Sequence, residues 1–434
     1  MYDLGFLNGK IYLNGAFIEA NLFCNKGKVS AITTEQLECT ETVNAEGKMI
    51  LPGFIDPHVH FASGENINAS SDNFYSGSIE AALGGITTFI DSIGPVRDID
   101  GLYDAFEKKQ DMTERSVVDY GVHTILAGLL DDASEFLQNS VELGMPTVKL
   151  FTTYSANGRR TYDRDIAALL KSSKKCEARI VAHAENDDLL ADGGQIPVSD
   201  LETSRPAVCE RTAALNLCEL AKSFDGLLYI SNLSAGTTVK RIREQYGELL
   251  HRELVLESCP QYFRFDSSVY GTDKGSGYTM IPPLRSKRER DSLRCALDTL
   301  DVMGTDHHLL DFSLKQGKFL RNIPMGVSGL HYAFSSMYTL FGDKILPYYT
   351  ENPAKIEGLY PHKGTLAPGA DADVVVFDPE TEWTVDDEKS IYHGMSMLGK
   401  VSSVFSHAKC VVQDDQFVGE EGTGSYQERK ISVQ

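Results

Sequence analysis

The stretch GFIDPHVH at residues 53–60 sets a short apolar run, bounded by glycine and proline, directly before two histidines two positions apart. It reads as a short buried strand that ends in chemistry. Seven further runs of the same kind follow: GGITTFIDS (84–92), DYGVHTILA (119–127), PTVKLFTT (146–153), ARIVAHAE (178–185), LLYISNL (227–233), LVLESCPQY (254–262) and DVMGTDHH (301–308). Helical stretches separate them. Eight strands alternating with helices predict an α/β fold of the (β/α)₈ TIM-barrel type, which needs about 250 residues.

Outward from this centre the texture changes. IYLNGAFIEA (11–20) near one end, and ADADVVVFDP (370–379) and GKVSSVFSHAKCVVQDDQFVGE (399–420) near the other, alternate apolar and polar residues between Asn-Gly and Lys-Gly punctuation. That is the pattern of antiparallel hairpins. The expected organisation is residues 1–51 as the first part of a small β-sandwich domain, 52–362 as the barrel, and 363–434 as the rest of the sandwich and a tail.

Composition narrows the partners. With 42% hydrophobic and 24% charged residues the chain is an ordinary globular sequence. Lys+Arg 41 against Asp+Glu 62 gives a net charge of −21, which repels nucleic acid and anionic lipid, so neither is an expected partner. The eight cysteines contain no CxxC pair, against a zinc ribbon or a disulfide framework. The first twenty residues lack a basic segment followed by an apolar one, and no apolar stretch nears the ~20 residues of a membrane span. A cytoplasmic enzyme is expected.

Polar chemistry gathers where the apolar runs end. His58 and His60 close the first, Lys149 lies in the fourth, His183 ends the fifth and Asp306 ends the eighth. In a parallel barrel these ends converge on one face, where active sites lie. Two histidines at i and i+2 of a strand point the same way and can grip one ion. Lys149 stands inside TVKLF, where an unpaired ammonium is costly. Together these positions predict a metal site.

The sequence resembles the hydantoinase, dihydropyrimidinase and dihydroorotase branch of the amidohydrolase superfamily. The resemblance is carried nearly end to end by PGFIDPHVHF (52–61), SDNFYSGSIEAALGGITTFIDS (71–92), TVKLFTTY (147–154), VAHAEN (181–186), SRPAVCERTAA (204–214), ESCPQYF (257–263), PPLR (282–285), GTDHH (304–308) and ENPAKIEGLYPHKGTLAPGADADVVVFDP (351–379). It implies one or two divalent ions, usually zinc, and a CO₂-derived carbamate on Lys149 that bridges them. His58, His60 and Asp306 would complete the first metal's shell, and His183 would serve the second. Asp306 would act as general base and then acid toward a metal-bound hydroxide and the leaving nitrogen, with the Tyr154 hydroxyl steadying the oxyanion.

Departures from the pattern matter as much. YISNLSAG puts Asn232 where the family has its second histidine on the second metal, and an amide carbonyl suits zinc less well than imidazole. Ile281 and Met325 replace polar residues expected near the substrate's imide edge, and Phe61-Ala62 replaces the Leu-Arg that binds the carboxylate in dihydroorotases. That argues against dihydroorotate. His307 and His308 read as supports of the Asp306 segment, and Cys259 as packing. The expected function is metal-dependent hydrolysis of a cyclic amide such as a hydantoin or dihydropyrimidine. The alternatives are a non-catalytic assembly protein of the dihydropyrimidinase-related type and a hydrolase of a different, acyclic amide or ureide. A homo-oligomer, dimer or tetramer, is expected.

Overall fold

The computed structural model describes residues 1–64, 68–191 and 195–432. Eight parallel strands lie side by side in chain order: β1 (Phe54–Asp56), β2 (Ile86–Val96), β3 (Asp119–Leu126), β4 (Thr147–Phe151), β5 (Arg179–His183), β6 (Leu228–Ser231), β7 (Leu254–Ser258) and β8 (Val302–Met303). The ring closes just beyond its edge strands, where the His60 N–H donates to the His307 carbonyl at 2.9 Å and Val59 bridges His307. Parallel register pairs Lys149 with Val181, Val181 with Tyr229, and Tyr229 with Val255. Paired residues share a face, so these four form one inward-facing ring. Val181, Tyr229, Val255 and Val302 pack together there as a separate apolar cluster.

The outer helices follow from local sequence. Asp132 caps the helix Ala133–Glu142 by accepting from Ser134 N and Glu135 N, and the helix buries Ala133, Phe136, Leu137 and Ser140. The helix Asp163–Ser173 buries Ile166, Leu169, Leu170 and Ser173, the same one-sided spacing. Each fully buried leucine, isoleucine or phenylalanine in these stripes contributes about 1.5–3 kcal/mol. Asn73 caps Phe74–Leu83 in a reciprocal pair with Ser76, and Gly77 lets that helix approach Phe61, whose ring would lie 2.5 Å from an added Cβ.

Chain ends build two further sheets. One runs Lys28–Thr33, Asn21–Asn25, Tyr2–Leu7, Cys39–Asn44. The other has seven strands and interleaves Met49–Pro52 from the first part of the chain with Val374–Thr384 from the last. Leu4, Phe6 and Leu22 of the first sheet share a core with Ile50, Val374, Val376 and Phe405 of the second. Beyond Gly419 the tail turns back along the barrel. Ser425 O accepts from Tyr120 N at 3.1 Å, and buried Arg429 reaches Val122 O and Thr147 Oγ1.

Two runs are shorter than their apolar text. β7 stops at Ser258 because Pro260 opens a helix, Pro260–Arg264. β8 keeps two residues of the eight-residue run, and Asp306 lies beyond it with φ +52°. Among the described residues no helix is long and apolar enough to cross a membrane.

Candidate active site

β1 ends at Asp56, two residues before the first histidine, so the strand itself does not aim the pair. The buried Asp56 carboxylate does. It accepts from His58 N at 3.0 Å, Thr305 N at 3.1 Å and Thr305 Oγ1 at 2.6 Å. One side chain therefore ties the histidine segment to the segment that carries Asp306. The result is a cluster in which Asp306 Oδ1 lies 3.2 Å from His58 Nε2 and 3.0 Å from His60 Nε2. These ligand atoms lie within 4.8 Å of one another, close enough to hold one ion.

Lys149 enters the same cluster from β4, its Nζ 2.5 Å from His58 Nε2. It is 2% exposed, and among the described residues no carboxylate oxygen lies within 4.0 Å of its amine. Burial lowers its pKa below the usual lysine value, only partly opposed by Asp306 and Glu257. Asp306 moves the other way for a carboxylate in such a place. Burial works to raise its pKa, but His58, His60 and Lys149 outweigh it and hold the pKa well below the ordinary value.

His58 Nδ1 pairs with Glu257 Oε1 at 2.8 Å, and Glu257 also accepts from Tyr229 OH at 2.6 Å and Asn232 N at 3.1 Å. A ring nitrogen donating to a carboxylate leaves the other nitrogen bare as a ligand atom. His183 is arranged likewise. Its Nε2 lies 2.9 Å from Glu185 Oε2, and Arg205 grips Glu185 with two bonds of 3.1 and 2.6 Å. Despite burial, Arg205 and His183 bring the Glu185 pKa down to about 2. His183 Nδ1 then faces Asn232 Nδ2 at 3.2 Å, and the same amide nitrogen lies 3.0 Å from Asp306 Oδ2. An NH₂ group has two hydrogens, one for each acceptor.

Tyr154 stands at the mouth, its ring 5.9 Å from that of His183. Among the described residues nothing accepts a hydrogen bond from its hydroxyl, and burial pushes its pKa up, so it stays a donor. Tyr154, Asn232 and Asp306 all have left-handed backbone, at φ +69°, +43° and +52°. Such residues cost of order 1–3 kcal/mol and persist where the surroundings fix them. Here Asp187 accepts from Tyr154 N at 2.8 Å, and Glu257 holds Asn232.

The seven candidate ligand and catalytic residues, His58, His60, Lys149, Tyr154, His183, Asn232 and Asp306, thus lie together. The sequence reading missed Asp56, Glu185, Arg205 and Glu257, although a charge inside the apolar run LVLES was a signal of the same kind as Lys149. Met325 donates its N–H to Asn68 Oδ1, and buried Cys259 has its pKa pushed up by burial and by Glu257, which works against a thiolate there. His307 is fixed by Asp72 at 2.7 Å, a support as read.

Residues 49–411 match the amidohydrolase family. The D-hydantoinase of Geobacillus stearothermophilus is 31% identical, with 97% of this chain and 95% of that protein covered. Among solved structures, the dihydropyrimidinase from Brevibacillus agri NCHU1002 superposes with a TM-score of 0.92 at 28% identity, covering 100% of both chains. The L-hydantoinase from Arthrobacter aurescens gives 0.86 at 25% identity, covering 98% and 99%. The likeness therefore spans both hands of hydantoinase. With its cluster of two histidines, aspartate and buried lysine at the barrel mouth, the chain belongs to the amidohydrolase family, in its hydantoinase branch.

Proposed function

We propose that the protein is a metal-dependent hydrolase that opens the ring C–N bond of a cyclic amide, a hydantoin or dihydropyrimidine being the simplest case. The observation that carries this reading is the convergence of His58, His60 and Asp306 beside a buried lysine that, among the described residues, has no carboxylate partner. Two imidazoles and a carboxylate suit zinc, and burial, by lowering the Lys149 pKa, favours the neutral amine that could take up CO₂ and offer a carbamate ligand. His58, His60, Lys149 and Asp306 would hold the first ion. When bound, the ion supplies a Lewis acid and lowers the pKa of water.

The chain's own groups do the rest. Asp306 Oδ2, ionised in the resting site, takes the proton of the attacking water and returns it to the ring nitrogen as the C–N bond breaks. The Tyr154 hydroxyl donates to the carbonyl oxygen as it becomes an oxyanion. Glu257 and Glu185 keep His58 and His183 in the tautomers that point bare nitrogens at the cluster. The second position falls to His183 and Asn232. Asn232 meets Asp306 and His183 through its NH₂ group, so it must turn its amide to offer a carbonyl ligand. A second ion would therefore be weakly held there.

The test is turnover by the zinc-loaded protein of a panel of hydantoins, dihydropyrimidines, cyclic imides and acyclic ureides, read as the ring-opened acid. Opening of cyclic members only is expected. Hydrolysis of acyclic members alone would shift the substrate class, and a metal-loaded protein that turns over none would favour the assembly role.

A further inference from the structure

The loop after β4 carries two adjacent arginines with different surroundings. Arg160 faces Asp188 at 3.4 Å and Asp187 at 3.7 Å. Arg159 has no carboxylate oxygen within 4.0 Å among the described residues, and its Nε is buried without a hydrogen-bond partner. Its guanidinium carbon sits 5.0 Å from the centroid of Phe151, whose ring is 5.5 Å from Tyr154 and 5.7 Å from His183. Phe151 follows Lys149 by two positions on β4, so it occupies the same inward face one step nearer the mouth. The positive charge of Arg159 is accordingly felt at both the Lys149 amine and the Tyr154 hydroxyl.

This placement is held from several sides. Asp187 accepts from Thr153 Oγ1 and Tyr154 N, each at 2.8 Å. Arg159 N donates to Tyr154 O at 3.2 Å, and Thr161 N to Phe151 O at 2.9 Å. A chain of net charge −21 repels anions at long range, so an anionic substrate needs a local cation. Arg205, the other guanidinium near Tyr154, is already committed to Glu185.

We propose that Arg159 reads an anionic substituent on the ring, so that the preferred substrate is a cyclic amide bearing a carboxylate-tipped side chain. The Phe151 face orients the guanidinium plane, and the planar fork matches a carboxylate through two parallel N–H bonds. A carboxylate clamp, missing beside the two histidines, is thus supplied from a different loop. The proposal rests on the cyclic-amide reading of this site, and its test separates the two.

The zinc-loaded enzyme is assayed on a hydantoin carrying a carboxymethyl group on its ring carbon and on the isosteric carboxamide. The acid is expected to be preferred about tenfold to a hundredfold in kcat/KM, as for a hydrogen-bonded ion pair. Arg159→Met should erase the preference, and Arg159→Glu should transfer it to the aminoethyl congener, a swap that a merely structural residue would not produce. Equal rates on acid and carboxamide, or an Arg159→Met loss that falls equally on both, would overturn the assignment. If neither ring opens, the cyclic-amide reading fails, and calorimetric binding of the same two compounds decides Arg159. Acid binding at least about tenfold tighter than carboxamide binding, and abolished in Arg159→Met, would sustain it; equal binding would end it.

Discussion

Lys149 and Lys363 are both buried, at 2% and 3% exposure, and each stands among aspartate and histidine. Each neighbourhood also holds a trio of potential ligand atoms, His58, His60 and Asp306 in one case and Asp119, Asp371 and His407 in the other. Their electrostatics are opposite. Lys363 Nζ lies 2.6 Å from Asp119, 2.7 Å from Asp373 and 3.2 Å from Asp371, and these carboxylates overcome burial to raise its pKa. Its ammonium fills the place that an ion would take. Lys149 has no such partner among the described residues, and burial lowers its pKa. One lysine is a resident cation that joins the barrel's foot to the terminal sheets. The other lies at the mouth beside His58 Nε2, where burial works against its charge and no ammonium–carboxylate contact occupies the neighbouring ligand atoms. Residue types alone do not distinguish the two clusters; the count of carboxylates around each amine does.

The sharpest way to break this contrast is to remove each lysine in turn. Lys149→Ala should lose metal and lower kcat by roughly 10⁴-fold or more, since the ion's contribution of several kcal/mol goes with it. Short carboxylic acids should restore part of the rate if a carbamate is the native ligand, and a rate insensitive to them would argue against it. Metal content and kcat measured with and without acetate decide the point. Asp306→Asn should lower kcat by about 10²- to 10⁴-fold while the far-UV spectrum stays native, because the amide fills the same volume but accepts no proton. A near-normal kcat would move the proton transfer to another group.

Lys363→Met should act on stability instead. Removing one partner from a buried ionic cluster typically costs about 3–5 kcal/mol, here with three carboxylates left facing one another. Lys149→Met in the metal-free protein should change unfolding free energy by less than about 1.5 kcal/mol, as a volume-conserving change of an unpaired group. Chemical denaturation of both variants reads this directly, and equal losses would dissolve the distinction.

A smaller effect is expected at Asn232. The dialysed protein should retain about one ion per chain, and Asn232→His should bring that toward two, because imidazole is the stronger donor for zinc. Two tightly held ions in the unaltered protein would make Asn232 a competent ligand. The smallest effect belongs to His407, whose pKa is raised by its 2.8 Å bond to Asp119 against the opposing effect of burial. A raised folded-state pKa means that its contribution is complete below the unfolded value of about 6.5 and fades as pH climbs through the folded one. Unfolding free energies of the native protein and His407→Gln should therefore converge as the solution turns alkaline.

Much of this was legible in one dimension. Eight apolar runs with turn residues between them dictated the barrel, because strands buried on both faces must be apolar and short. The positions of His58, His60, Lys149, His183 and Asp306 at the ends of those runs announced a gathering of potential ligand groups on one face, since parallel strands deliver their ends to one place. The alternating text at both termini announced the second domain.

Other features depended on where distant segments meet. Whether a buried lysine is an ion-pair partner or a neutral amine depends on carboxylates brought from elsewhere, as with Asp119 and Asp373, which lie far from Lys363 in one case and ten residues away in the other. His58 and His183 were oriented by the carboxylates of Glu257 and Glu185, and the aim of the histidine pair was set by Asp56 binding Thr305 across the closed barrel. Arg159 and Arg160 are adjacent and identical in the sequence, and only the fold gave one its aspartates and set the other over the Phe151 ring. Apolar patterning is a local property, since burial is dictated by each segment's own period. Charge compensation is not, since an electrostatic field is the sum over whatever the fold brings near.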